Sequence, residues 1–234
     1  MEINPNVSAI AALMGDPSRL AMLMGLLGGK ALPASDLAHA ARVSPQTASA
    51  HLAKLVEGGL LAQEKYGRHK YFRLAAPEVA HALESLLAIA PPKPVRSLRE
   101  SDELQHLRHA RTCYDHLAGK VGVALTDRLL ELRYLEPSGQ DYVLSPQGEA
   151  KLRSWGMDVH ADPKKRRHYA RQCLDWSERR HHLAGSLGAA LAMRMFELKW
   201  IERRPNGRAI RVTEEGIQGL HREFGLSASA FANL

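Results

Sequence analysis

The chain has 234 residues, 45% hydrophobic and 24% charged, the make-up of a globular protein with room for one large domain or two small ones. A net charge of +7 and a pI near 9.6 favour polyanionic partners, while only two cysteines exclude a disulfide framework and fit a reducing cytoplasm. No charged-then-apolar leader opens the sequence, and the longest apolar run, from Leu20, is far short of the roughly 20 residues a bilayer requires, so no membrane partner is expected.

The first predicted helix starts at Asp16-Pro17-Ser18, with Leu20, Leu23, Met24 and Leu27 at the spacing of one buried face. A short helix follows from about Ser35 to Ala41, then a three-residue turn and a second helix that Ser44 can cap and Pro45 can begin. Ala48, Leu52 and Leu55 make its buried stripe, and Gly58-Gly59 end it. The opposite face carries Gln46, Thr47, Ser49, Ala50 and Lys54, with Ser44 and His51 beside them. Short polar side chains and a cation are what base edges and phosphates require of a helix in the major groove. A strand pair comes next, and its tip, YGRHK, gathers Arg68, His69 and Lys70 where they could touch the phosphate backbone or the minor groove.

Asp16-Pro17-Ser18-Arg19-Leu20, the run Ser44 to Leu55 with its HLAKL, Gly59-Leu60-Leu61 and the segment GRHKYFRL together resemble the ArsR family of bacterial winged-helix repressors, over about the first 90 residues. The resemblance implies a winged helix-turn-helix, a homodimer built from terminal helices around Ser8 to Met14 and Pro77 to Ala90, and a double-stranded DNA operator read by one recognition helix per half-site. The family's metal sites do not carry over. Ala34 and Ser35 stand where metal-sensing members have a Cys-x-Cys-type pair, and His81 with Glu84 is too little for a closed zinc site. A winged helix that is only a protein-interaction scaffold is the alternative, but the polar helix face, the cationic tip and the basic total agree on DNA.

The prolines of IAPPKPVRS, Ile89 to Ser97, separate a first domain, residues 1–90, from a second, residues 99–234. The second contains a repeat, about 101–160 and 163–234: His116 to Glu136 and His182 to Glu202 are identical at about half their positions. Each copy reads as helix, helix, hairpin, helix, the hairpin being followed by a Ser or Thr able to cap the last helix. The predicted fold class is therefore mainly α with small β-hairpins (α+β): a winged helix-turn-helix, then two helix-helix-hairpin-helix repeats.

A helix starting near Ser101 would place His106, His109, Cys113 and His116 on one face, at steps of three, four and three. Such a stripe could bind zinc, copper or haem iron, although ten residues of helix span about 15 Å, so one ion could take only two or three of them. The competing reading is that these side chains flank the apolar stripe of Leu104, Leu107, Tyr114, Leu117 and Val121. The second copy keeps Cys173 but has Arg166, Tyr169 and Trp176 in place of the three histidines. Cys113 and Cys173 would face one another about a pseudo-twofold axis, with Arg111 and Arg171 favouring a thiolate, which opens redox or electrophile sensing; buried packing is the alternative. Gly119, Gly122, Gly185 and Gly188 permit close helix approach, or else a break. A break would leave an apolar ligand gap lined by Leu117, Val121, Leu183, Leu187 and the aromatics Tyr114, Trp176 and Trp200; a packed core is the other outcome. The basic run Asp162 to Gln172 is expected to begin a helix with a solvated face or an extra DNA contact.

No phosphate-binding glycine loop, nucleophile elbow or complete metal motif is present, so no enzyme is expected. The expectation is a cytoplasmic homodimeric repressor whose C-terminal half senses a small molecule, a metal, haem or a thiol modification. A constitutive architectural protein whose C-terminal half only assembles oligomers is the alternative.

Overall fold

Caps and breakers in the sequence set the element boundaries of the computed structural model, which describes residues 6–67, 69–92, 94–160, 167–205, 207–227 and 230–231. The chain divides into two compact units, Met1–Leu83 and Glu84–Leu234, the division falling inside one helix.

The first unit holds α1 (Val7–Met14), α2 (Pro17–Gly25), β1 (Leu32–Pro33), α3 (Ala34–Ala41), α4 (Pro45–Glu57), β2 (Leu61–Tyr66) and β3 (His69–Leu74); α5 (Pro77–Ile89) crosses into the second. Asp16 caps α2 by accepting the Arg19 N–H at 2.8 Å, and Pro17 occupies the first position. Arg42, in the left-handed region at φ 54°, stops α3 so that α4 can start three residues later. The strands form an antiparallel sheet in the order β1-β3-β2. Met22, Leu23, Leu26, Leu27, Leu37, Leu52 and Leu55 are all buried between helices and sheet. Leu20 and Met24 are only half-buried, because the stripe that faces the core at α-helical spacing is Met22, Leu23, Leu26 and Leu27, turned part-way round from the expected one.

After α6 (Leu98–His109), the second unit runs β4 (Arg111–Cys113), β5 (His116–Ala118), α7 (Gly119–Glu131), β6 (Leu135–Ser138), β7 (Asp141–Leu144) and α8 (Pro146–Ser154). It continues with β8 (Arg171–Leu174), β9 (His181–Ala184), α9 (Gly185–Glu197), β10 (Ile201–Arg203), β11 (Ile210–Val212) and α10 (Glu214–Phe224). The order hairpin, helix, hairpin, helix thus occurs twice. The second hairpin of each set appears as expected, with Ser145 and Thr213 capping α8 and α10.

The expected first helix of the first copy is present as α6 but ends early, a hairpin taking the place of its last part, and in the second copy a hairpin begins at Arg171. α6 is capped by Ser97 rather than Ser101 and stops at His109; from Ala110 the backbone is extended. Long-range pairing overrides the local helical pattern here: the Thr112 N–H donates to the Arg208 carbonyl and the Ile210 N–H to the Ala110 carbonyl, each at 2.9 Å. In the second copy, Arg167 to Ala170 is not helical and Arg171 already belongs to β8; the earlier part of that basic run lies outside the described residues. β8 pairs with β7 as well as β9, giving the sheet β6-β7-β8-β9, so the first hairpin of each half is flanked by the second hairpin of the other.

The HLAG segments are therefore strand-to-helix junctions, not helix interiors. Gly119 and Gly185 turn the chain at φ 79° and 82°, and a Cβ on Gly122 or Gly188 would lie 2.6 or 2.4 Å from the carbonyl oxygen of Leu117 or Leu183. The close approach is thus between each helix and the strand before it. Leu117, Val121, Leu183, Leu187 and Trp200 are all buried in one core. The space bordered by Leu117, Gly122, Leu183 and Gly188 is a void of about 10 Å³, the lower limit for a single water. Among the described residues no single helix is long and apolar enough to cross a membrane.

Candidate functional site

Among the described residues, two features can carry chemistry, one in each unit. In the first, Ser44 starts α4 by accepting the Thr47 N–H at 3.2 Å, and Ala48, Leu52 and Leu55 bury its inner face. Gln46, Thr47, Ser49, Ala50 and Lys54 are exposed together on the outer face. The Ser44 and Thr47 hydroxyls lie 3.0 Å apart, and Ser49 donates to the Pro45 carbonyl at 2.9 Å, so these three are drawn against the helix start. His51 is half-buried, its Nδ1 without a hydrogen-bond partner among the described residues, which puts it at the edge of this face.

The hairpin β2-β3 ends in register at Tyr66 and His69, with Gly67 at φ 59° opening the two-residue turn. His69 and Lys70 are exposed on the second strand; Arg68 lies outside the described residues. Tyr66 and Tyr71 pack edge to face at 5.7 Å and stiffen the tip.

In the second unit, Cys113 stands directly opposite His116 across β4 and β5, and Cys173 directly opposite His182 across β8 and β9. Each hairpin thus contributes one thiol and one imidazole, and the ligand atoms of all four lie within 4.8 Å of one another. The two Sγ atoms are 3.9 Å apart and the two Nε2 atoms 3.2 Å. All four side chains are buried.

Carboxylates stand behind the imidazoles. His116 Nδ1 lies 3.4 Å from Asp115 Oδ1, and His182 Nδ1 lies 3.2 Å from Asp175 Oδ2, within ion-pair distance although not aligned as a hydrogen bond. Asp175 is fully buried, faces Arg111 at 2.9 Å, and accepts the Gly119 N–H at 2.7 Å and the Ser177 hydroxyl at 2.7 Å. Burial alone would raise its carboxyl; His182, Arg111 and the Gly119 N–H more than reverse this and hold it below the usual carboxylate range. Asp115 is held by Arg167 through two hydrogen bonds of 2.6 and 2.9 Å. The Arg111 guanidinium stacks on Trp176 at 4.6 Å, while Tyr114 is a hairpin-turn residue at φ 60°.

This geometry corrects the expected one-helix stripe. His106 and His109 stay on α6, where His109 is buried and its imidazole pushed down by that burial and by Lys120, and they take no part in the group. His182, not singled out in the sequence, completes it. The signal was there: the H of HLAG recurs with its cysteine in both halves, but a helical reading sets Cys113 beside His116 by pitch and offers no counterpart across the six residues that lengthen the second loop. The cysteines do face one another. Yet the Cys113 thiol is pushed up by its contact with Cys173 and by burial, and Arg111 is engaged by Asp175, so no activated thiolate results without a further cation.

Comparison with known proteins places the chain in a family. A family profile described as "Helix-turn-helix domain" matches residues 14–64. The chain is 48% identical over 214 residues to the "uncharacterized HTH-type transcriptional regulator YdfF" of Bacillus subtilis (strain 168), covering 92% of this chain and 95% of that one. Among solved structures, reduced HlyU from Vibrio cholerae N16961 matches at 26% identity over 37% of this chain and 90% of its own, with a TM-score of 0.34. The cadmium sensor CMTR from Mycobacterium tuberculosis matches at 27% identity over 39% and 99%, with a TM-score of 0.31. The chain belongs to the HTH-type transcriptional regulators, with a helix-turn-helix DNA-binding domain in its first unit.

Proposed function

We propose that the protein is a homodimeric repressor that binds a two-fold symmetric operator through α4 and the β2-β3 wing, and leaves it when the C-terminal unit senses its effector. The observation that carries the DNA-reading part is the outer face of α4, where Gln46, Thr47, Ala50 and Lys54 are exposed on a helix whose other side is locked into the core. Gln46 and Thr47 read base edges; Lys54 and the wing residues Arg68, His69 and Lys70 meet phosphates. Self-association is supported by α1, seven of whose eight residues are apolar and none buried, and by Leu86 and Ile89 of α5, 43% and 79% exposed.

The assignment separates two kinds of variant. Gln46→Ala with Thr47→Ala is expected to cost about 1–3 kcal/mol of discrimination between operator and non-operator DNA while leaving non-specific binding in place. Lys70→Ala is expected to weaken binding to every sequence and to lower the salt slope of log K by about 1. Fluorescence anisotropy titrations at several salt concentrations make both measurements. Equal effects on specific and non-specific binding from the two variants would contradict the division of labour.

A further inference from the structure

The Cys and His cluster belongs to the second unit, and the DNA-reading function proposed for the first does not use it. We propose that Cys113, His116, Cys173 and His182 are the four ligands of a closed, tetrahedral Zn2+ site that ties the β4-β5 hairpin to the β8-β9 hairpin. This holds whatever DNA the first unit binds.

The distances match the ion. Zinc bonds of about 2.3 Å to sulfur and about 2.05 Å to nitrogen, opened at a tetrahedral angle, separate two sulfurs by roughly 3.8 Å and two nitrogens by roughly 3.3 Å. The cluster holds its sulfurs at 3.9 Å and its nitrogens at 3.2 Å. Two thiolates and two imidazoles are the donor set that selects zinc over the oxygen-seeking calcium and magnesium.

The surroundings match as well. A carboxylate beside each Nδ1 favours the tautomer with its proton there, so both Nε2 lone pairs point into the same small space. Two lone pairs at 3.2 Å repel unless a cation lies between them. As the ion enters, each thiol loses its proton, and two thiolates neutralise the dication. The carboxylates outside are matched in turn, Asp175 by the fully buried Arg111 and Asp115 by the half-buried Arg167, so the charges around the site balance in pairs. All four ligands come from the protein and all are buried, leaving no open coordination position: the ion is a clamp between the two halves, not a Lewis acid for a substrate.

The test uses the full chain, purified reduced and without chelator. Elemental analysis is expected to find zinc at one equivalent per chain, and the metal-free protein titrated with Co2+ to develop the intense visible bands of tetrahedral cobalt with a thiolate-to-cobalt charge-transfer band, both lost on adding Zn2+. Cys173→Ser and His182→Gln should each weaken Co2+ binding at least tenfold and alter the spectrum. Asp115→Asn, which alters the partner of the outer nitrogen of His116 and of Arg167 but removes no ligand atom, should keep the tetrahedral spectrum with affinity down about 10–100-fold. Because a ligand variant can fail to fold, the wild-type titration decides by itself. Folded, reduced wild-type protein that gives no tetrahedral cobalt spectrum overturns the proposal, as does mass spectrometry of freshly extracted protein showing Cys113 and Cys173 joined in a disulfide.

Discussion

Asp175→Asn is expected to destabilise the C-terminal unit by about 3–5 kcal/mol, because it leaves the Arg111 guanidinium buried without its counter-charge. Both side chains are fully buried, and the same carboxylate accepts N–H groups from Gly119, Ser177 and Glu178. The tryptophans make the effect easy to see: the chain has three, Trp155, Trp176 and Trp200, all in the second unit. Their fluorescence therefore follows that unit alone. The urea midpoint read this way should fall by more than about 1 M, and Arg111→Met in the same background should restore part of it. An unchanged midpoint would show that Asp175 is not the anchor of the hairpin.

Trp200→Ala should be of similar size, about 3–5 kcal/mol, but through packing instead of charge. The indole is buried, lies 5.2 Å from the ring of Trp155, and rests on α10 where Gly219 leaves no room for a Cβ: one would come within 2.2 Å of the ring. Trp155 in turn meets Phe224 edge-on at 5.2 Å, so removing Trp200 empties one end of a three-ring stack that joins α8, α10 and the start of β10. Trp200→Phe, which keeps a ring in place, should lose less than half as much. A loss below about 1 kcal/mol for the alanine variant, measured by calorimetry because it removes one fluorophore, would mean that α10 is held elsewhere.

The N-terminal unit was legible because its signals are local. Pro17 and Pro45 sit at first helical positions, Asp16 and Ser44 cap, and Gly58-Gly59 end α4, each readable within a few residues. The outer face of α4 could be named from its spacing alone, apart from His51, whose half-burial is decided by neighbours that no helical wheel contains. The C-terminal unit was half legible. Its β6-β7 and β10-β11 hairpins carry glycine turns or caps, but β4 and β5 are three residues each, joined by Tyr114-Asp115, a pair with no turn signature. What makes them strands is pairing with Arg208 to Ile210, nearly a hundred residues away, and no local pattern reports that. The grouping of Cys113, His116, Cys173 and His182 is hidden from the sequence for the same reason. In a helix His116 follows Cys113 by one turn; in a hairpin it stands opposite, and only then does His182 stand equivalent to it.

Sequence-specific reading of DNA by α4 in a two-fold assembly can be checked by selecting bound sequences from a random double-stranded DNA library with the full-length protein at physiological salt. The expected result is enrichment of an inverted repeat, with half-site centres about one helical turn or a multiple of it apart, bound at least about 1,000-fold more tightly than unselected DNA. Recovery of DNA with no common sequence, held no more tightly than the starting pool, would contradict it.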